Sequence, residues 1–255
     1  MNKMRRGWLE QIVARQALVV TGCGLALLLV VSSASASPGQ QADRVARGLI
    51  SPNLIRAEIV TLNGNTVHDY RIYRGFISAI RGRLVTLSER DGTVARIKLS
   101  PIALIRMNGR TVAVQRVRPG MSATVMTNGS APASWFYVAK RSPDPSGGAI
   151  KSLLSTGYVR IEVVSQVGGA LLDNRVDTGV IASVGSNSLT LDESDGTVVQ
   201  LPIDSTTQVQ MNNRMSDLTV LAAGMSVTTI RSGAGPVNEI WASGKRAARI
   251  PRHRK

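Results

Sequence analysis

The sequence is poor in the residues that do chemistry. It contains one cysteine, Cys23, and two histidines, His68 and His253. One cysteine excludes an internal disulfide framework and a Cys-ligated metal cluster. Neither histidine has a partner set for a zinc site or a catalytic triad, so both read as surface residues. A glycine-rich phosphate loop is also missing, because Gly168-Gly169 has no further glycines at loop spacing and sits where a hairpin turn is expected. With no base, nucleophile or metal set in view, the chain is expected to be no enzyme and to carry no cofactor. Acidic residues are the minority sign, 16 against 31 basic ones, for a net charge of +15.

What the chain does have is an internal duplication. Gly75-Phe-Ile-Ser-Ala-Ile and the segment Leu84 to Val94 return as Gly179-Val-Ile-Ala-Ser-Val and Ser188 to Val198, and the register holds at an offset of 104 residues from about Ile55/Val159 to Lys140/Gly244. A repeat of that length is one small domain, so the expectation is two domains, 55–141 and 159–246, joined by a linker, 142–158, whose Ser142-Pro-Asp-Pro-Ser-Gly-Gly148 carries breakers and no apolar periodicity.

The N-terminus reads as an export signal, 1–36. Lys3, Arg5, Arg6 and Arg15 precede an apolar run from Ala17 to Val31, and Ala34, Ser35 and Ala36 offer a cleavage site. The run is shorter than the roughly 20 residues of a comfortable membrane span. Cleavage after Ala36 removes Cys23 and leaves no thiol. Lipidation at Cys23 and retention as a membrane anchor are the alternatives. Residues 37–54 are then a flexible leader, and 247–255 a basic, disordered tail. The expected location is the periplasm, cell envelope or medium.

Within a repeat, strands are expected over Ile55–Leu62 and Val67–Ile80, with a hairpin of Leu84–Ser88 and Thr93–Leu99 around Arg90-Asp-Gly92. Glycine belongs in that turn because it reaches positive φ without a Cβ clash. Ala95, Ile97 and Leu99, like Val199, Leu201 and Ile203, point to the core, and Arg96 and Lys98 to solvent. A short strand near Ala103–Met107, a single helical turn closed by Gly120 or Gly224, and two closing strands complete the unit. Gly75 and Gly179 lie inside a strand, which marks a bulge or bend. The fold expected is all-β: two tandem small antiparallel OB-like barrels.

Gly75-x-Ile77, Thr86-Leu87, Asp91-Gly-Thr-Val94 and Met107-Asn-x-Arg110, with Leu218-x-x-Leu221-x-x-Gly224-Met225 in the second copy, resemble the domain-of-unknown-function 5666 family, found as single or repeated β domains in exported bacterial proteins. The resemblance covers both repeats and implies no activity or site. The first repeat departs from it by carrying Val114, Val117 and Pro119 at the helical turn.

Comparing the copies separates scaffold from surface. Residues 55–141 hold 14 basic and 4 acidic residues, whereas 159–246 hold 6 and 9. Arg56/Arg160, Arg71/Arg175 and Arg110/Arg214 are basic in both copies and suit scaffold roles. Arg74, Arg81, Arg83, Arg96, Lys98 and Arg106 are replaced by Thr178, Gly185, Asn187, Gln200, Pro202 and Gln210, so the fold does not need those charges. Together with Arg252, Arg254 and Lys255 of the tail they are the candidate contacts to an anionic partner. Tyr70, Tyr73 and Trp135 lie among them, either to stack on a ligand or to fill the core. Glu89 and Asp91, like Glu193 and Asp195, suggest a cation site, although an Asp-Gly turn explains the aspartate and the full calcium loop is missing.

The function expected is an exported, non-enzymatic binding module for an anionic envelope component, either lipid headgroups or a cell-wall polymer. The alternatives are self-assembly by docking of the basic repeat on the acidic one, giving a homo-oligomer, or OB-like nucleic-acid binding. An export signal disfavours nucleic acid.

Overall fold

The structure is a computed structural model and describes residues 51–139, 150 and 157–244. All of these belong to one compact unit, Ser35–Lys255. The expected signal segment, residues 37–50 of the leader, nearly all of the linker and the tail from residue 245 lie outside the described residues.

The first repeat consists of β1 (Leu54–Asn63), β2 (Thr66–Arg81), β3 (Leu84–Ser88), β4 (Val94–Met107), the two-residue β5 (Arg110–Thr111), a 3-10 turn at Val114–Arg116, β6 (Ser122–Asn128) and β7 (Ala133–Ala139). The β4–β5 turn is Asn108-Gly109, with φ of 51° and 80°, the left-handed pair that a tight hairpin needs. Five strands close on themselves in the order β2-β3-β4-β7-β6-β2. This is the Greek-key arrangement of an OB-type barrel. One pair departs from the antiparallel expectation: β4 and β7 run parallel, because the chain crosses over through the 3-10 turn and β6 before it returns beside β4.

The second repeat follows the same plan with β8 (Arg160–Val167), β9 (Ala170–Val184), β10 (Ser188–Glu193), β11 (Val198–Pro202), β12 (Gln208–Met211), β13 (Arg214–Ser216), a 3-10 turn at Leu218–Val220, β14 (Ser226–Ser232) and β15 (Val237–Ser243). The strand that is continuous as β4 is here split into β11 and β12. Asp204 stops it by turning its carboxylate onto the Thr206 N–H, 2.8 Å away, while its own N–H goes to the Thr207 hydroxyl at 3.1 Å. In the first repeat the same place is marked by a register shift between Leu99 and Leu104, around Pro101, which has no N–H for the ladder.

Gly75 and Gly179 meet a packing demand rather than marking the bulge. A Cβ at Gly179 would stand 2.6 Å from the Asp192 carbonyl oxygen, and one at Gly75 would stand 2.9 Å from the Ser88 carbonyl carbon. The register shift of β2 falls further on, between Ile77 and Ala79.

Each barrel has its own core. Ile77, Val85, Leu87, Leu99, Val125 and Phe136 centre the first; Ile181, Leu189, Leu191, Leu201, Met211 and Ile240 centre the second. The inward set read from alternation is confirmed, since Ile97, Leu99, Leu201 and Ile203 are buried.

A third core joins the repeats. β1 pairs antiparallel with β8, with Arg56 opposite Val164, Ala57 opposite Val163, Glu58 opposite Glu162, Ile59 opposite Ile161 and Val60 opposite Arg160. Glu162 is the copy of Glu58, and the flanking pairs are reciprocal, so the repeats meet like the halves of an isologous dimer. One face of this seam buries Ala57, Ile59, Ile72, Ile161, Val163 and Val176, with Ile150 and the ring-bearing Tyr70, Trp135 and Tyr158 packed around them.

Candidate functional site

The opposite face of the seam carries Arg56, Glu58, Arg160 and Glu162 beside the buried Val60 and Val164, and its arginines consume acids. In the first repeat the Arg56 guanidinium donates to Glu89 at 2.8 Å and to Asp91 at 2.5 Å. In the second, Arg160 pairs with Glu193 and, at 2.7 Å, with Asp195. The carboxylates once readable as a cation site therefore converge on a guanidinium. Asp91 serves two partners, since its other oxygen accepts the Thr93 N–H at 3.0 Å and so also holds the hairpin turn; Asp195 does the same with Thr197. Hydrogen bonds from the turn and Arg56 hold Asp91 below the ordinary aspartate range against its burial. Among the described residues no group of three or more His, Cys, Asp or Glu side chains is arranged to hold a metal ion.

Beside the Glu58–Glu162 pair at the centre of the seam, Arg71 of β2 pairs with Asp69 at 2.9 Å and Glu58 at 3.6 Å, and Arg175 of β9 pairs with Asp173 at 3.1 Å and Glu162 at 3.3 Å. Arg56/Arg160 and Arg71/Arg175 thus have the scaffold roles that their presence in both copies implied. Burial, reinforced by Asp69, pushes Glu58 up to about 7 despite Arg71. The second repeat adds Arg231 to Asp177 at 3.4 Å, at positions held by Thr127 and Tyr73 in the first.

These pairs leave the first repeat with unbalanced charge. Its four acids, Glu58, Asp69, Glu89 and Asp91, are all engaged by Arg56 and Arg71. Arg81, Arg83, Arg90, Arg96, Lys98, Arg106, Arg110, Arg116 and Arg118 are exposed, and none of them pairs with a carboxylate among the described residues.

Three of the candidate contacts come together on the outer face of β2, β3 and β4. The registers set out a grid of three rows: Phe76, Ser88, Val94; then Ala79, Thr86, Arg96; then Arg81, Leu84, Lys98. Adjacent strands are about 4.8 Å apart, so Arg81 and Lys98 stand roughly 10 Å from each other across Leu84. Arg83 lies at the rim, in the turn before β3, with its guanidinium 2.8 Å from the Ser100 carbonyl. The matching rows of the second repeat read Val180, Asp192, Val198; Ser183, Thr190, Gln200; and Gly185, Ser188, Pro202. Its grid carries one acid and no base.

The other candidates stand apart. Arg74 is half-buried on β2, donating to the Thr124 hydroxyl at 3.2 Å and the Ser51 carbonyl at 2.5 Å; burial and nearby Arg90 lower it to about 10. Arg106 lies beyond the irregular stretch of β4, beside Tyr137 of β7. Arg252, Arg254 and Lys255 lie outside the described residues. Tyr70 and Trp135 pack on the seam core and Tyr73 on the first barrel's core, so these three aromatic residues serve packing. His68 is half-buried and stacks on Tyr70, ring centroids 5.7 Å apart.

Sequence reading overlooked the apolar members of the grid. Phe76 is 53% exposed, Val94 55% and Leu84 41%. The signal was present: Phe76 alternates with the inward Ile77, and Val94 shares the parity of Arg96 and Lys98.

No family model matches the chain, and no curated protein matches it. Among solved structures, a deletion mutant of the single-stranded DNA binding protein from Thermus aquaticus is similar at 10% identity over 79% of this chain and 94% of that one, with a TM-score of 0.17. A likeness at that TM-score carries no argument about fold or function.

Proposed function

We propose that the chain is an exported, non-enzymatic binding module of two β-barrels, whose first repeat and basic C-terminal segment engage an anionic component of the cell envelope. The observation that carries this reading is the charge imbalance: the first repeat spends all four of its carboxylates on Arg56 and Arg71, and nine exposed bases remain among the described residues. Exposed like charges repel one another, and the second repeat makes the same fold with uncharged residues at eight of the nine positions, Arg110 alone being kept as Arg214. A polyanion within a Debye length of about 8–10 Å relieves that repulsion. Export rests on the N-terminal signal pattern, and the preference for an envelope component over nucleic acid rests on export. The resemblance to the domain-of-unknown-function 5666 family is part of the same proposal.

The test uses the purified chain at moderate salt against anionic vesicles and soluble polyphosphate. Salt-sensitive association with at least one, weakened by Arg96→Glu with Lys98→Glu, is the expected result. No association, or no response to the reversal, overturns the reading.

A second reading follows from Asp192, Asp204 and Asp217, which are exposed on the second repeat and form no ion pair among the described residues. Docking of one molecule's basic repeat on another's acidic repeat gives head-to-tail assembly. Sedimentation discriminates: assembly predicts oligomers at low salt, without ligand, that dissociate at high salt.

A further inference from the structure

We propose that the outer face of β2, β3 and β4 in the first repeat docks on an anionic lipid bilayer, with Phe76, Leu84 and Val94 entering the boundary between headgroups and acyl chains while Arg81, Arg96 and Lys98 meet the lipid phosphates. The inference rests on the envelope-binding reading and narrows it from any polyanion to a lipid surface.

Composition is the first ground. Three of the nine grid positions carry large apolar side chains that are 41–55% exposed, interleaved with three bases through the strand registers. A soluble polyanion uses the bases and leaves Leu84 and Val94 in water, since aliphatic groups have no ring to stack on a sugar or base. A bilayer interface uses both kinds, because its acyl boundary takes apolar groups and its phosphates attract cations.

The second ground is the internal control. Val180 and Val198 keep the exposed apolar row in the second repeat, at 42% and 66% exposure, but Asp192 stands between them, and Gly185, Gln200 and Pro202 replace the three bases. An acid at the centre of such a row repels anionic headgroups. Only the first repeat combines apolar groups with unopposed positive charge, so only one barrel has the face.

Geometry is the third. The face is the outside of three hydrogen-bonded strands, so its side chains project from one surface and reach a planar interface together.

The experiment is flotation of the full chain with vesicles of phosphatidylglycerol and phosphatidylcholine, with phosphatidylcholine vesicles alone, and binding to soluble polyphosphate. Each variant's thermal transition is first shown to match the parent. Phe76→Ser with Val94→Thr is expected to lower partitioning onto anionic vesicles roughly tenfold or more and to leave polyphosphate binding unchanged. Arg81→Gln, Arg96→Gln and Lys98→Gln together are expected to weaken partitioning by roughly 100-fold. Phe76→Trp is expected to retain binding, and its added fluorescence to shift blue and be quenched by brominated acyl chains. If the apolar pair changes nothing on vesicles, or the tryptophan is not quenched, the lipid inference is wrong. Binding to polyphosphate without binding to anionic vesicles overturns the lipid inference and spares the broader reading, whereas binding to neither overturns both.

Discussion

Glu58 on β1 stands directly opposite Glu162 on β8, and each is the other's copy in the duplication. The antiparallel seam therefore places two like-charged groups side by side at its centre, an arrangement that opposes stability unless something offsets it. Arg71 and Arg175 each approach one of the two, with Asp69 and Asp173 competing for them.

The first prediction concerns pH. Burial raises both glutamates, Glu58 to about 7. A carboxylate whose folded value is raised holds its proton more tightly in the native state, so its contribution is full below the unfolded value near 4.5 and is lost as pH rises through about 7. The parent is expected to lose stability between pH 5 and pH 8 in denaturant titrations. Glu58→Gln should lose less, by about 1–3 kcal/mol. A parent whose stability is flat or rises over that interval contradicts the account of the seam.

The buried arginines and the surface arginines should behave oppositely. Arg56→Met leaves Glu89 and Asp91 facing each other without a counter-charge and is expected to cost about 3–5 kcal/mol. Arg96→Gln, which breaks no ion pair, should stay within about 0.5 kcal/mol of the parent. Equilibrium unfolding of the two variants side by side gives the comparison.

Gly75→Ala and Gly179→Ala push a methyl group into the backbone carbonyls of Ser88 and Asp192. Neither carbonyl can move without opening the ladder of β2 with β3 or of β9 with β10. A loss of about 3 kcal/mol is expected at either position, measurable as a fall in Tm, while Gly82→Ala, at a turn with open space around it and a φ of +58°, should cost only the left-handed backbone strain of about 1 kcal/mol.

Much of this was legible in the chain. Alternation at Ala95, Ile97 and Leu99 fixed the hairpin's faces, Asp-Gly and Asn-Gly fixed its turns, and the duplication sorted Arg56 and Arg71 from Arg96 and Lys98. The seam was not legible, because pairing between β1 and β8 depends on which edges remain open after each barrel closes, and no local pattern records that. The second duty of Asp91 was hidden for a related reason: an Asp-Gly turn already accounts for the residue, so nothing pointed to Arg56 arriving from another strand. Arg74 looked like its surface neighbours until the structure tied it to Thr124 and Ser51.

The shared core predicts that the repeats melt together. Ile161→Ala removes a fully buried side chain from the seam, where Ala57, Ile59 and Val163 also pack, and is expected to cost about 2–5 kcal/mol. Because the seam draws on both repeats, the parent should show one calorimetric transition. Two separate transitions in the parent would mean that the seam contributes little.

The central claim is that the first repeat's outer face binds an anionic surface through charges the fold does not need. Its most direct test is the salt dependence of vesicle association for the parent and for the combined Arg81→Gln, Arg96→Gln and Lys98→Gln variant, with Arg110→Gln, Arg116→Gln and Arg118→Gln together as a charge-matched control elsewhere on the same repeat. The account predicts that the triple variant folds as the parent does and loses both most of its affinity and most of its salt dependence, while the control keeps the greater part of each. Equal losses in the two variants would show that net charge alone governs binding, and would contradict a site on β2, β3 and β4.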